Sequence, residues 1–544
     1  MKHSTRSSPS PSVAGAPNQT VAQPNQDEQN FPQTFFGNYS KGLPHNDKGI
    51  VDAGAYVQFR DALNSAKAAR DSRVYDFATL SQALVDARGP NSTAERFTSC
   101  TSGLAVDPLG PDPFALPFKP APSVTSREAA LEAVENYWMA HCRDVSFANY
   151  DSDPTVAAAA AELQRINNAV GHFGSHAITP ANVFRAYDLP GAQVGPYISQ
   201  FLYLDVPFGA QKFSQHIQTV QPGSNWMTKT AEWLAVQNGE WAGRVGADLF
   251  DSTRRYIRNG RDLGQYVHVD ELYQAYFNAC LILFGSHAPV GPGNPFRNHP
   301  SIKGFATFGG PHMLTLVTEV ATRALHAVWA QKWLVHRRLR PEAYGGLVHF
   351  SIEGASEFNA LQLPVIVKNS AAVARARACN GTSLMPMAFP EGSPTHPAYG
   401  AGHATVAGAC VTMLKAWFDE GHILANPVQP SADGLTLVPY TGSAGLKLGD
   451  ELNKLASNIA IGRNFAGVHW YSDYTESVRL GELVSIVVLA RESRGFYEDH
   501  YFQFTSFDGF RVRIERSGVT VTGTGQRPAH LEDALIASLI GPAA

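Results

Sequence analysis

From Met313 to Leu339 the apolar residues recur at helical spacing, and the stripe they form is broken at one place. Val317, Ala321, Ala324, Val328, Val335 and Leu339 line one face, and Lys332 sits where another aliphatic residue belongs. A helix with such a stripe must bury it against other elements. The pattern predicts one long helix after Gly309-Gly310-Pro311, with an ammonium group on its inner face. A buried ammonium is costly unless an anion or hydrogen-bond acceptors meet it. Arg340, just before Pro341, falls near the end of the same helix. Two readings of the pair stand level: Lys332 snorkels to water while Arg340 caps terminal carbonyls, or both face a bound anion. His336, Arg337 and Arg338 are expected on a solvated or interface face.

Helical signals dominate elsewhere. Thr125 and Glu128 have the spacing of a capping box, followed by Leu131, Val134, Trp138 and His141 on one face. Ala157 to Ala161 lie in a strong helix former, and Thr179-Pro180 reads as an N-cap with proline at the first helical position. Pro- and Gly-rich breaks at 107–122, 286–311 and 385–402 separate helical blocks without marking domain edges. Residues 1–30 are rich in Ser, Pro, Gln and Asn, which predicts a disordered tail ahead of one domain over 31–544. Near the C-terminus, alternating FQFTSF and FRVRIE flank Asp508-Gly509, a two-residue hairpin signal, and a second turn at Ser517-Gly518 leads to VTVTG.

Bulk properties exclude several classes. With 44% hydrophobic and 17% charged residues, 544 residues can bury a large core. A formal net charge of -4 gives no sign of a nucleic-acid partner. The five cysteines, Cys100, Cys142, Cys280, Cys379 and Cys410, have no CxxC spacing and read as buried free thiols. No apolar run approaches the roughly 20 residues a membrane helix needs; LVSIVVLA at 483–490 is a core helix segment. No hydrophobic signal region opens the sequence, so a cytoplasmic location is the expectation.

Two further segments ask for the same partner as Lys332. In HPAYGAGH a loop runs into a helix whose apolar face is Val406, Ala407, Cys410, Val411, Leu414 and Phe418. Gly402 and His403 fall at its N-terminus, where free N–H groups and the dipole favour an anion. His396 lies seven residues earlier, in the loop. In RNFAGVHW, Arg463 and His469 are six apart, about 120° off a shared helical face. Both can reach one ligand only if the helix ends between them, and Gly467 offers the place. Asp473, four beyond His469, can bond one ring nitrogen and leave the other as a ligand. Each histidine alone is as readily a packed or capping residue. Together the segments supply three cations, a helix-entry glycine and two or three imidazoles, a set suited to a tetrahedral oxyanion.

These residues resemble the vanadium-dependent haloperoxidases, which share a fold and site plan with the type-2 phosphatidic acid phosphatases. The pattern is Lys followed by Arg-Pro, then Gly-His, then Arg with five residues before His and an Asp four beyond; all occur here in order. Similarity to the algal bromoperoxidase-like and bacterial members extends from NYSKGLPHN (38–46) through VGPYISQFL, RNGRDLGQYVHVDEL and GFATFGGPH to LGE at 480–482. The resemblance implies that His469 bonds vanadium and that Lys332, Arg340, Arg463 and the Gly402 amide hold vanadate oxygens. It implies that His403 is the acid–base toward hydrogen peroxide and that Trp329 lines the site. His396 matches a histidine typical of bromoperoxidase-like members. The family's serine before Gly-His is Ala401 here, and Gln331 stands where some relatives have arginine.

The implied architecture is all-α, two four-helix bundles in one large domain with small C-terminal β-hairpin elements, its site formed by 329–341, 396–403 and 463–473. The implied activity is vanadate-dependent oxidation of halide, bromide first, by hydrogen peroxide, with halogenation of a small organic acceptor. A homo-oligomer is expected. An acid phosphatase with a phosphohistidine at His469, and a cofactor-free isomerase, are the alternatives within the fold.

Overall fold

A computed structural model of the protein describes residues 22–72, 76–89, 92–443 and 445–541. Helices dominate, as the sequence predicts, and four of them make the bundle that positions the site. At its centre lies Gly402–Trp417, buried over nearly its whole length. It packs against Gly310–Trp329, Leu448–Phe465 and Tyr471–Ser493. Glycine sets the closest crossing. A Cβ on Gly408 would run into the Val478 carbonyl, and one on Gly481 into the Thr405 carbonyl. Only residues without side chains let the two backbones come that near.

A second group of helices stands behind the bundle. Arg127–Cys142 packs on Pro154–Val170 and Ala371–Asn380, and also touches Leu448–Phe465. Being buried on all sides, it has the predicted face of Leu131, Val134 and Trp138 but also buries Glu132, Glu135 and Asn136. Its N-cap is Ser126, whose hydroxyl accepts from Ala129 N at 3.1 Å, so the cap lies one residue beyond the expected Thr125 and, with Ala129 in the third position, no box closes. Thr179-Pro180 starts no helix. The Asn182 side chain accepts from Thr179 N at 2.7 Å and closes a turn instead.

The long helix expected through Leu339 stops being an α-helix at Trp329 and continues as a π-helical turn, Ala330–His336. The wider i→i+5 pattern admits an extra residue per turn and swings the following side chains inward. His336, Arg337 and Arg338, expected in water, are therefore buried. Arg338 tolerates this because it meets two carboxylates, Glu132 and Asp473, each at 2.9 Å.

The C-terminal sheet has three antiparallel strands, Phe502–Thr505, Arg511–Glu515 and Gly518–Thr522. Asp508-Gly509 lies within a five-residue connection closed by Ser506 N donating to Phe510 O at 2.7 Å, longer than the expected two-residue turn. The second turn is Arg516-Ser517, and Gly518 already pairs with Glu515. Four cysteines are buried, whereas Cys379 is exposed. Of the expected N-terminal tail, residues 1–21 lie outside the described residues. Beyond them Ala22 and Asp27 are packed, with Asp27 accepting from Val124 N at 2.9 Å. Among the described residues no helix is long and apolar enough to cross a membrane.

Candidate active site

Local irregularities turn the three segments toward one another. The π-helical turn ends at Arg337 in a left-handed conformation, and three residues later Arg340 caps Pro341–Ile352. Leu448–Phe465 ends two residues after Arg463, and Gly467, at φ +84°, reverses the chain so that His469 precedes the next helix. Ala401 is the N-cap of Gly402–Trp417.

Arg340 ties these segments together. Its Nε donates to His396 O at 2.9 Å, and Nη2 donates to His396 Nδ1 at 2.8 Å. Its Nη1 donates to Val468 O at 2.8 Å and to His469 Nε2 at 3.0 Å. Lys332 Nζ donates to the carbonyls of Pro397 and Ala398 at 2.9 and 3.1 Å. Trp329 stands 5.0 Å from the His396 ring, with Lys332 Nζ 5.6 Å over its own ring. A Cβ on Gly402 would approach that indole to 3.1 Å. Arg463 Nη1 donates to Val267 O at 2.7 Å, and its buried Nε has no partner.

The partners fix the tautomers. A guanidinium only donates and an ionised carboxylate only accepts. His469 Nε2 therefore presents its lone pair to Arg340, and Nδ1–H donates to Asp473 Oδ2 at 2.8 Å. His396 accepts from Arg340 at Nδ1, so its neutral ring holds the proton on Nε2. His403 donates from Nε2 to Asp270 Oδ1 at 2.9 Å, leaving Nδ1 as a base.

Three buried cations gathered at one place without a carboxylate distinguish this cluster; Arg143 and Lys415, each buried singly, also rest on carbonyl and amide oxygens. Buried Lys41, Arg261, Arg338 and Lys454 each meet a carboxylate. Lys332, Arg340 and Arg463 are equally buried, and their hydrogen bonds go to carbonyls and imidazoles. Burial, reinforced by Arg340, holds the Lys332 ammonium well below its usual range. Burial likewise lowers Arg340 and Arg463 to about 10. The His396 and His469 rings are pushed well below the ordinary imidazole range by burial and the neighbouring cations, so both are neutral. His403 is lowered by burial despite Asp270. Three uncompensated cations around a neutral imidazole lone pair are costly to bury. An oxyanion relieves that cost, whereas a simple cation would add to it. Arg463 Nε, with nothing to donate to, is a further donor in reach of such a ligand.

Several supporting residues escaped the sequence reading. Asp270, three beyond the carbonyl that holds Arg463, orients His403. Asn136 Nδ2 donates to His469 O at 3.1 Å, and Glu132 Oε1 accepts from Ser472 N at 2.9 Å. Burial would raise Glu132, but Arg338 and His172 outweigh it and hold it at about 2. Asp473, in contrast, is lifted by burial to about 6 even beside Arg338. No spacing rule links residues 132, 270 and 338. Gln331 is buried and donates to Pro113 O at 3.3 Å. A surface groove of about 450 Å³ lined by Ser351, Phe358, Gln362 and Lys368 shares no residue with the cluster.

Ala401 offers no acceptor to the first-turn N–H groups of its helix. Restoring a hydroxyl with Ala401→Ser is expected to add about 1 kcal/mol of helix capping or, turned to the ligand, about 0.5–1.5 kcal/mol of anion affinity. Thermal unfolding with and without the anion separates the two gains.

Known proteins resemble the chain over most of its length. Residues 312–497 match the family model described as the VCPO second helical-bundle domain. The chain is 36% identical to a vanadium-dependent bromoperoxidase of Corallina pilulifera, over 90% of this chain and 93% of that one. It is 34% identical to one of Ascophyllum nodosum, over 93% and 90%. The solved homohexameric second vanadate-dependent bromoperoxidase of Ascophyllum nodosum superposes with a TM-score of 0.84 at 30% identity, covering 93% of this chain and 88% of that one. Similarity at this level, over nine-tenths of the chain, shows that it belongs to the vanadium-dependent bromoperoxidase family.

Proposed function

We propose that this chain uses vanadate and hydrogen peroxide to oxidise bromide to a hypobromite-level oxidant, which brominates a small organic acceptor. The observation that supports this best is the set of three buried cations without carboxylates around a neutral His469 whose Nε2 lone pair is free of a proton. Vanadate fits that set. Lys332, Arg340, Arg463 and the Gly402 amide would hold its oxygens, and His469 Nε2 its vanadium. Bound there, it supplies a Lewis acid that activates peroxide without changing oxidation state.

The remaining work falls to the chain. With Asp270 holding Nε2–H in place, His403 Nδ1 would accept a proton from hydrogen peroxide. Lys332 and Arg463 stabilise negative charge that grows on oxygen in the transition state, because they are fixed before reaction and shielded from water. His396 Nε2–H is a neutral donor at the same cluster. Trp329 walls it beside Gly402 and His396. The Ascophyllum protein is described as a homohexamer, and we extend self-association, though not the number of copies, to this chain.

Protein loaded with orthovanadate is expected to brominate monochlorodimedone in peroxide and bromide. No turnover at saturating vanadate would overturn the proposal, and p-nitrophenyl phosphate hydrolysis in its place would favour a phosphatase. Binding alone has its own readout. A ligand at 100 times its Kd stabilises the folded state by about 2.7 kcal/mol, so vanadate should raise the melting temperature and phosphate should compete for that rise.

A further inference from the structure

Behind His469 stands a buried ion network that reaches its ring through Asp473. Asp473 Oδ2 accepts from His469 Nδ1 at 2.8 Å and from Trp470 N at 3.1 Å. Its other oxygen, Oδ1, accepts from Arg338 Nη1 at 2.9 Å. Arg338 Nη2 donates to Glu132 Oε2 at 2.9 Å, and Nη1 also donates to Ser472 Oγ at 2.9 Å. The Arg338 guanidinium lies 4.6 Å over the Trp470 ring. Glu132 Oε1 accepts from Ser472 N at 2.9 Å and from His172 Nε2 at 2.7 Å. One turn along the same helix, Asn136 holds the His469 carbonyl.

An Asp473 carboxylate alone would select the His469 tautomer. Trp470 N pins Oδ2 but leaves Oδ1 without a donor, so the carboxylate plane can still tilt and the ring plane follow it. Arg338 and Glu132 remove that freedom, because each oxygen of Asp473 and Glu132 is assigned to a different donor. Burying a guanidinium with two carboxylates is at best neutral for stability, which leaves orientation as the gain.

We propose that Glu132 and Arg338 are positioning residues for the vanadium bond: acting through Asp473, they hold the His469 ring where Nε2 can become the fifth ligand of vanadium. The inference rests on the vanadate reading above. It has a consequence that general scaffolding lacks. Vanadium accepts a ring nitrogen as an added ligand, whereas phosphorus in bound inorganic phosphate stays four-coordinate and engages the cations through its oxygens. The network should therefore matter for vanadate and not for phosphate.

The test is the affinity of full-length protein for orthovanadate and for inorganic phosphate, by calorimetry, in the unaltered chain, Glu132→Gln and Arg338→Lys. Outer-shell partners of a ligating histidine are typically worth 10–100-fold in affinity. Vanadate binding weakened about tenfold or more, with phosphate changed less than about threefold, is the expected result. Equal loss for both anions, or loss for neither, would overturn the assignment. If Glu132→Gln does not fold, Arg338→Lys, which keeps the charge and loses the fork, is read in the same way. If neither folds, the pair is scaffolding and the assignment fails. An unaltered chain that binds phosphate but not vanadate would instead sink the functional reading, and the positioning role with it.

Discussion

Replacing His469 with alanine is expected to weaken vanadate binding by about 10³-fold and reduce bromide oxidation to that of free vanadate. The magnitude follows from what is lost. Orientation of such a ligand is alone worth roughly 10–100-fold, and here the ligand itself disappears. Asp473 Oδ2 and Arg340 Nη1 also lose a buried partner, at about 1–3 kcal/mol each. The cations remain, so phosphate should still bind. Equilibrium dialysis with vanadium analysis, beside the monochlorodimedone assay, measures both effects. Near-normal vanadate retention would mean that the cations hold the anion without the imidazole.

Arg340→Ala should be nearly as severe, by a different route. One side chain makes the four bonds that join His396, Val468 and His469. Truncating one member of a buried charged pair costs about 2–5 kcal/mol, which is roughly 30- to 5000-fold in anion affinity. The anion-free protein should suffer less. Lys332 is lowered first by burial and next by Arg340, so removing the guanidinium lets the ammonium recover part of its usual basicity. The sign is favourable below the unfolded lysine range, where a charged Lys332 is expensive in the folded state. The variant should lose more melting temperature with vanadate present than without it. Equal losses in the two states would contradict a role in anion binding.

The site was legible because its residues break local rules. Lys332 interrupts an apolar stripe, Gly402-His403 opens a helix, and Gly467 separates Arg463 from His469 where an unbroken helix would part them. The supporting residues break none. Glu132 and Asn136 read as the polar side of an amphipathic helix, and only the packing of Arg127–Cys142 on every side reveals them. The π-helical turn was hidden for a related reason. It carries Arg338 to Glu132, 206 positions away, and no local propensity encodes that partner. Thr125 and Ser126 are both good caps, so the one-residue displacement there reflects a choice made by packing. Asp508-Gly509 signalled a turn correctly but not its length, which the Ser506 side chain sets by accepting from Asp508 N and Phe510 N.

The most direct test is a crystal structure of the vanadate-loaded protein with an anomalous difference map for vanadium. The expected map has one peak per chain, bonded to His469 Nε2 and ringed by Lys332, Arg340, Arg463 and the Gly402 amide. A peak elsewhere, or one held by the cations with His469 turned away, would contradict the account.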